Sequence, residues 1–122
     1  MKVLLELKMP LENGLMTTAR LTTGGVCALF GLDFEESEDC KVCLTESLLL
    51  LQHAGYPEAI IRFCDDGGLY IRIAGEGAAQ ATESFVEDEI SYALLSALND
   101  SVTTQKKDGK PVEISFRFTK TA

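Results

Sequence analysis

The stretch GLDFEESEDCKVCLTESLLLLQHAG, residues 31–55, predicts a helix that organises the rest of the chain around it. Asp33 is suited to the N-cap, and Glu36, three residues later, completes a capping box. Gly55 follows the apolar run and predicts that the helix ends near His53. The other elements can be placed before and after this segment.

The residues before this helix predict a strand and a first helix. From Lys2 to Met9 apolar and polar side chains alternate, which is typical of a half-buried strand. Val3, Leu5, Leu7 and Met9 lie on the apolar face. Leu4, on the other face, is a candidate for a contact outside the core. From about Asn13 to Gly31 the apolar residues recur at helical spacing: Leu15, Ala19, Val26, Leu29 and Phe30. Gly24 and Gly25 inside this segment each cost about 1 kcal/mol relative to Ala, and a close approach to another element would explain them.

The residues after it predict a hairpin, a third helix and two final strands. Two β-branched runs, Ala59–Phe63 and Leu69–Ile73, flank a Gly-containing turn. Ser84 and Glu87 form a candidate capping box for the third helix. Its predicted apolar face carries Val86, Ile90, Ala93, Leu94 and Ala97. The last strands lie near Val102–Gln105 and Val112–Phe118.

The resulting order is β-α-α-β-β-α-β-β, and every strand is apolar on one side. This pattern predicts a two-layer α/β sandwich, in which helices cover one face of a mainly antiparallel sheet. The length of 122 residues suits a single domain, residues 1–122.

Composition and charge narrow the classes of function. The net charge of −8 repels phosphate backbones, so we expect no direct nucleic-acid binding. No apolar run reaches the roughly 20 residues that cross a bilayer, and the start of the chain lacks the pattern of a signal peptide, so we expect a cytoplasmic protein with no membrane partner. We expect the four cysteines to be free, buried thiols.

Two segments resemble a known family. The quoted stretch, with Thr45-Glu46-Ser47 and Gln52-His53-Ala54 inside it, and the ending Ala93–Val102 are similar to bacterial anti-sigma factors of the RsbW/SpoIIAB type, which are also serine-protein kinases. The resemblance covers nearly the whole chain. It implies the histidine-kinase-like (GHKL, or Bergerat) ATPase fold.

The resemblance also implies a nucleotide site, and the matching positions have changed. In the family a Glu acts as catalytic base, and an Asn one helical turn later holds Mg²⁺. Glu46 matches the Glu, but Leu50 stands at the Asn position and cannot ligate a hard cation. Gly75 replaces the Asp that reads adenine, whereas Gly77 keeps the family's glycine. The family's lid loop is shortened to about ten residues here, and Glu87-Asp88-Glu89 replaces its Gly-x-Gly.

Several residues allow two interpretations. Glu46 is either a retained base or a partly exposed helix carboxylate, and a perturbed pKa would favour the first. Cys40-x-x-Cys43 could bind zinc or carry redox chemistry. It favours core packing, because there is no second ligand pair and the motif lies well inside a helix rather than at its start. His53 could sense pH or lie beside a nucleotide, although its place at a helix end favours contact with the terminal carbonyls. Gly75-Glu76-Gly77 is typical of a plain turn as well as of a phosphate loop. The acidic run Glu35, Glu36, Glu38 and Asp39 is typical of a first helical turn and less so of a surface for a basic partner.

These observations predict a regulatory protein-binding domain without kinase activity, without a metal and without a cofactor. The implied partner is a sigma factor or a STAS-type antagonist, and a homodimer through the sheet edge near the first strand and first helix is compatible with Leu4. The alternative is a divergent serine-protein kinase that binds ATP with Mg²⁺ and retains Glu46 as base. An interaction domain with no transcriptional role is a third hypothesis.

Overall fold

A computed structural model describes residues 1–80 and 86–119. The elements run β1 (Lys2–Pro10), a short 3₁₀ helix (Asn13–Leu15), α1 (Met16–Leu29), α2 (Phe34–His53), β2 (Glu58–Asp65), β3 (Leu69–Glu76), α3 (Glu87–Ala97), β4 (Ser101–Lys107) and β5 (Lys110–Phe118). The strands form one antiparallel sheet in the order β1-β2-β3-β5-β4. The predicted order and the two-layer sandwich are confirmed.

The helix that the quoted stretch predicts is α2, and both halves of its capping box form. The Glu36 amide donates to the Asp33 carboxylate at 2.8 Å, and the Asp33 amide donates to the Glu36 carboxylate at 2.9 Å. One face of α2 is fully buried against the sheet and α1, including Cys40, Cys43, Leu44, Leu48 and Leu51. Burying a leucine side chain stabilises the fold by roughly 1.5–3 kcal/mol, so α2 is central to the core.

The predicted inner face of β1 is wrong in its first half. Val3 and Leu5 are 49% and 42% exposed, and only Met9, at 5%, is buried. The register slips between Val3 and Leu5, which makes Leu4 the extra residue of a β-bulge. β1 is also the edge strand, so it has a neighbour on one side only.

The predicted inner face of α3 is also wrong. Val86 and Ile90 are 80% and 59% exposed, whereas Ser91 and Leu95 are buried. The buried face of α3 thus includes a small polar residue, Ser91, which a search for apolar residues does not find. Val86 takes the N-cap position without a side-chain cap, and Ser84 of the predicted capping box lies outside the described residues.

Helix α1 differs from its prediction at both ends. Its first turn is the 3₁₀ segment, and Leu29 at its last turn is 80% exposed rather than buried. The close approach expected near its glycines exists at Gly24, where a Cβ would lie 2.9 Å from Lys41 Cε of α2. Nothing lies within 4 Å of a Cβ built on Gly25.

Candidate functional site

Glu46 and Leu50, the two α2 positions that match the Glu and the Asn of the family's nucleotide site, lie in different surroundings. Leu50 is 1% exposed and lines a cavity of about 320 Å³ between the end of α2, the start of α3 and the β4–β5 turn. Glu46 lies instead in a shallow depression of about 210 Å³ beside Arg20, Val42 and Thr45. The structure therefore does not bring Glu46 and Leu50 together around one cavity.

Burial raises the pKa of the Glu46 carboxyl, and the charge of His53 acts in the opposite direction. Within the described part of the chain Glu46 makes no hydrogen bond or ion pair. A carboxyl with a raised pKa suits proton transfer near neutral pH better than an ordinary one. The Glu46 carboxyl can therefore accept or donate a proton at the surface of α2.

The cavity that Leu50 lines has polar walls on two sides. The Nδ1 atom of His53 lies 2.8 Å from an Asp88 carboxylate oxygen and joins α2 to α3 across one wall. On the opposite side Lys106 Nζ lies 4.6 Å from the centre of the Tyr92 ring, a cation–π contact between β4 and α3. Burial, with the nearby Asp88 charge, raises the pKa of Tyr92.

His53 therefore makes a contact with Asp88 that the sequence does not predict. The helix-end position favoured the terminal carbonyls, but the imidazole meets a carboxylate of α3. Of the acidic triplet at the start of α3, Asp88 and Glu89 line the cavity. The sequence analysis does not find two contacts at this cavity, that of His53 with Asp88 and that of Lys106 with Tyr92. Each joins two elements that are far apart in the chain, and no local motif indicates such a pair.

Gly75 and Gly77 lie beside the turn that connects α2 to β2. Gly75 pairs with Ala59 in the sheet, and a Cβ built on it would lie 2.6 Å from two atoms of the Tyr56 ring. Real Cβ contacts are essentially never this short. The Tyr56 ring therefore fills the space that any side chain at position 75 would need.

Gly77 has a positive φ of 88°, and its Cβ would lie 2.7 Å from Pro57 Cγ. It needs to be glycine for both reasons. Gly77 lines a second cavity of about 290 Å³ with Tyr56, Ala79 and Lys107. Lys110 lines both cavities, so both border the β4–β5 turn.

The cysteines are buried, free thiols, as the sequence predicts. Burial raises the pKa of the Cys43 thiol to about 11, and its sulfur accepts a 3.6 Å hydrogen bond from Asn99. The hydrogen bond between Cys27 and Cys40 lowers the pKa of the first thiol and raises that of the second, which is also raised by burial. Among residues 1–80 and 86–119 no group of three or more His, Cys, Asp or Glu side chains is placed to hold a metal ion. No helix in the same ranges is long and apolar enough to cross a bilayer.

Three helices on one face of this five-stranded sheet define an α/β sandwich of the histidine-kinase-like (GHKL) ATPase fold. Among solved structures the chain is similar to the crystal structure of the RsbU and RsbW domains of Rv1364c from Mycobacterium tuberculosis, with a TM-score of 0.66 and 13% identity. The match covers 94% of this chain and 32% of that one, so this chain spans about a third of that structure. No protein-family model matches the chain, and a search of curated proteins finds no relative.

Proposed function

We propose that this chain is a regulatory domain that acts by binding another protein, in the manner of anti-sigma factors, and that it does so without Mg-ATP. The observation that carries the proposal is the Tyr56 ring, which lies where a base-reading side chain at position 75 would project. A fold alone does not define a function. The proposal therefore rests on the side chains at the matching positions.

Leu50, at the position of the family's Mg²⁺-binding Asn, also supports a function without Mg-ATP. Mg²⁺ requires oxygen ligands in near-octahedral geometry. Leu50 supplies none, and its 1% exposure makes it part of the core rather than of a polar site. The residues present therefore do not fit a metal held as the resemblance implies.

The charge of the chain as a whole favours a protein partner with a basic surface. Asp88 and Glu89 line the Leu50 cavity at the start of α3, where the resemblance implies a phosphate-binding helix end. Lys106 and Lys110 line the same cavity, so its charge is mixed, but the two carboxylates stand at the helix end itself. The net charge of −8 instead favours a partner with a basic surface. By the resemblance, that partner is a sigma factor or a STAS-type antagonist.

One observation favours a second function. The raised pKa of Glu46 suits a general base, as a divergent serine-protein kinase would need. In that case Mg²⁺ and ATP would be held by residues other than Leu50 and Gly75. The kinase hypothesis predicts nucleotide binding that Glu46→Ala weakens.

Calorimetric titration with ATP and with ADP, each with and without Mg²⁺, separates the two functions. We expect no heat of binding up to millimolar nucleotide. Micromolar, Mg²⁺-dependent binding that is lost in Glu46→Ala would overturn the proposal and establish the kinase. Glu12→Ala, at an exposed carboxylate far from α2 in sequence, is the matched control.

Binding to defined partners tests the positive half of the proposal. Each sigma factor and STAS-type protein of the source organism is purified and mixed with the chain without nucleotide. We expect one of them to form a complex that survives gel filtration. The bound sigma factor should then lose its ability to direct RNA polymerase to a promoter. Failure of every such protein to bind would contradict the anti-sigma role.

A further inference from the structure

We propose that the outer face of α1 is a docking surface for an amphipathic helix of another protein, one whose apolar stripe is bordered by Lys and Arg. This inference rests on the proposed function, since it names the surface and the partner chemistry. Thr17, Leu21, Gly25 and Leu29 are spaced four residues apart and form one row along the helix. We call this row the α1 stripe.

All four residues of the α1 stripe are exposed, and its two large side chains are leucines. Leu21 is 71% and Leu29 80% exposed, and Phe34, at the start of α2, is 81% exposed. Arg20, the single charged residue of α1, lies beside Val42 and Thr45 of α2 instead of on the stripe. Exposed apolar residues at helical spacing, with no charge among them, are typical of a helix-binding surface.

Gly25 provides an independent argument. A glycine inside a helix is destabilising relative to alanine, so its presence needs a reason. Gly24 has one inside the molecule, because Lys41 Cε packs where its Cβ would be. Gly25 is exposed, and a Cβ there would meet nothing within 4 Å. Its missing side chain leaves open space between Leu21 and Leu29 in the row, and we call this space the depression.

That depression has the form that helix packing uses. Rows of residues four apart form ridges, and a facing helix places its own ridge between them, with its axis crossing at about −50°. A glycine in the row lets one side chain of the facing helix descend between two leucines. The α1 stripe therefore matches a helix rather than a strand or a loop.

Charge selects the kind of helix. Asp33 and Glu35, both exposed, stand on either side of Phe34 just beyond the end of α1. A partner helix with Lys and Arg at the edges of its apolar stripe would meet these carboxylates. A second copy of this chain would bring another −8 charge to the surface, which makes it the weaker candidate.

The test uses two synthetic helical peptides of about 18 residues, both with leucine on one face. One carries lysine on the other face, and its twin carries glutamate. We expect the lysine peptide to bind the wild-type chain and the glutamate peptide to bind at least about tenfold more weakly. No binding of the lysine peptide, or equal binding of the twin, would overturn the proposed partner chemistry.

Gly25→Met is the decisive variant because it moves stability and binding in opposite directions. Methionine favours a helix more than glycine does, so the midpoint of thermal unfolding should rise. Methionine also fills the depression, so affinity for the lysine peptide should fall at least about tenfold. Leu29→Gln should weaken binding as well. Ile90→Gln, at an exposed apolar position on α3, is the matched control and should leave the affinity for the lysine peptide unchanged.

The remaining outcomes also decide the question. Binding that survives Gly25→Met, or that Ile90→Gln reduces equally, would overturn the α1 stripe as the docking surface. A wild-type dimer that Gly25→Met dissociates in sedimentation equilibrium would assign the stripe to a second copy and overturn the proposal. A sigma factor that binds Gly25→Met as tightly as the wild type would leave the proposed function standing and reject only this surface.

Discussion

Glu46 illustrates how much one side chain depends on its immediate surroundings. It lies on α2 in a shallow depression, and partial burial raises the pKa of its carboxyl despite the opposing charge of His53. Removing water from a carboxylate disfavours its charged form. This side chain therefore contributes to the pH dependence of folding whether or not it has a catalytic role.

Glu46→Gln should make the folded chain more stable at neutral pH. The folded carboxyl holds its proton above the ordinary pKa of 4.5, which applies to the unfolded chain. Folding therefore takes up a proton in the window just above 4.5, and wild-type stability falls as pH rises through it. Glutamine has no such dependence, so urea unfolding should show a more stable variant at about pH 8 and equal stabilities at about pH 4.

Glu12→Gln is the control for this experiment, because Glu12 is exposed and makes no capping hydrogen bond. It should change stability little at either pH. A Glu46→Gln variant that is less stable than the wild type at neutral pH would mean that the charged carboxylate makes a favourable contact in the folded chain.

At the scale of elements, the turn between α2 and β2 determines what β3 can carry. This turn places the Tyr56 ring over Gly75 and Pro57 over Gly77. The closest atoms belong to a ring and a proline, which have little freedom to move aside. The end of β3 therefore has no room for side chains at these two positions.

Gly75→Asp should destabilise the fold by at least about 2 kcal/mol, because an overpacked site forces its neighbours to shift. Tyr56→Ala in the same chain should recover part of that loss, since it removes the ring that the aspartate meets. The free energies of unfolding of the two single variants and the double variant, from urea titration, give the coupling between the positions. Gly25→Asp, where a Cβ has open space, is the control. Additive effects would show that the two residues do not compete for the same volume.

The sequence predicted most elements because their signals are local. A capping box, a change from a period of two to a helical period, and a glycine-containing turn each involve neighbouring residues. The faces of β1 and α3 were predicted wrongly because they depend on what packs against them. A bulge at Leu4 and the burial of the small, polar Ser91 cannot be recognised from periodicity.

The candidate site was predictable in part. Once the resemblance gives the matching positions, the sequence alone shows that Leu50 replaces the family's Asn and Gly75 its Asp. The Tyr56 ring over Gly75 and the pair of His53 with Asp88 could not be, because they join residues far apart in the chain. Contacts of this kind need the three-dimensional arrangement.

At the scale of the whole molecule, the sheet has one apolar edge. Val3, Leu4 and Leu5 of the edge strand β1 are 41–49% exposed. Exposed edge strands offer unpaired backbone groups for pairing with another chain. Self-association through this edge stays a prediction.

We expect the chain to form a dimer that Leu4→Lys weakens, as measured by sedimentation equilibrium. Raising the salt concentration should strengthen the wild-type dimer, because it screens the repulsion between two chains of charge −8. Val86→Lys, at an exposed position on α3, should leave the dimer intact. A dissociation constant of about 1 mM marks a weak dimer. A wild-type chain that is still monomeric at about that concentration would contradict the prediction.

The contact between Tyr56 and position 75 also limits how this protein could change over generations. A single substitution that places a carboxylate at position 75 meets the ring at once, and we expect the resulting loss of folded protein to be selected against. A smaller residue must first replace Tyr56, and that step brings no nucleotide binding of its own. An aspartate at position 75 is therefore tolerated best in descendants of this chain that already carry a smaller residue at position 56.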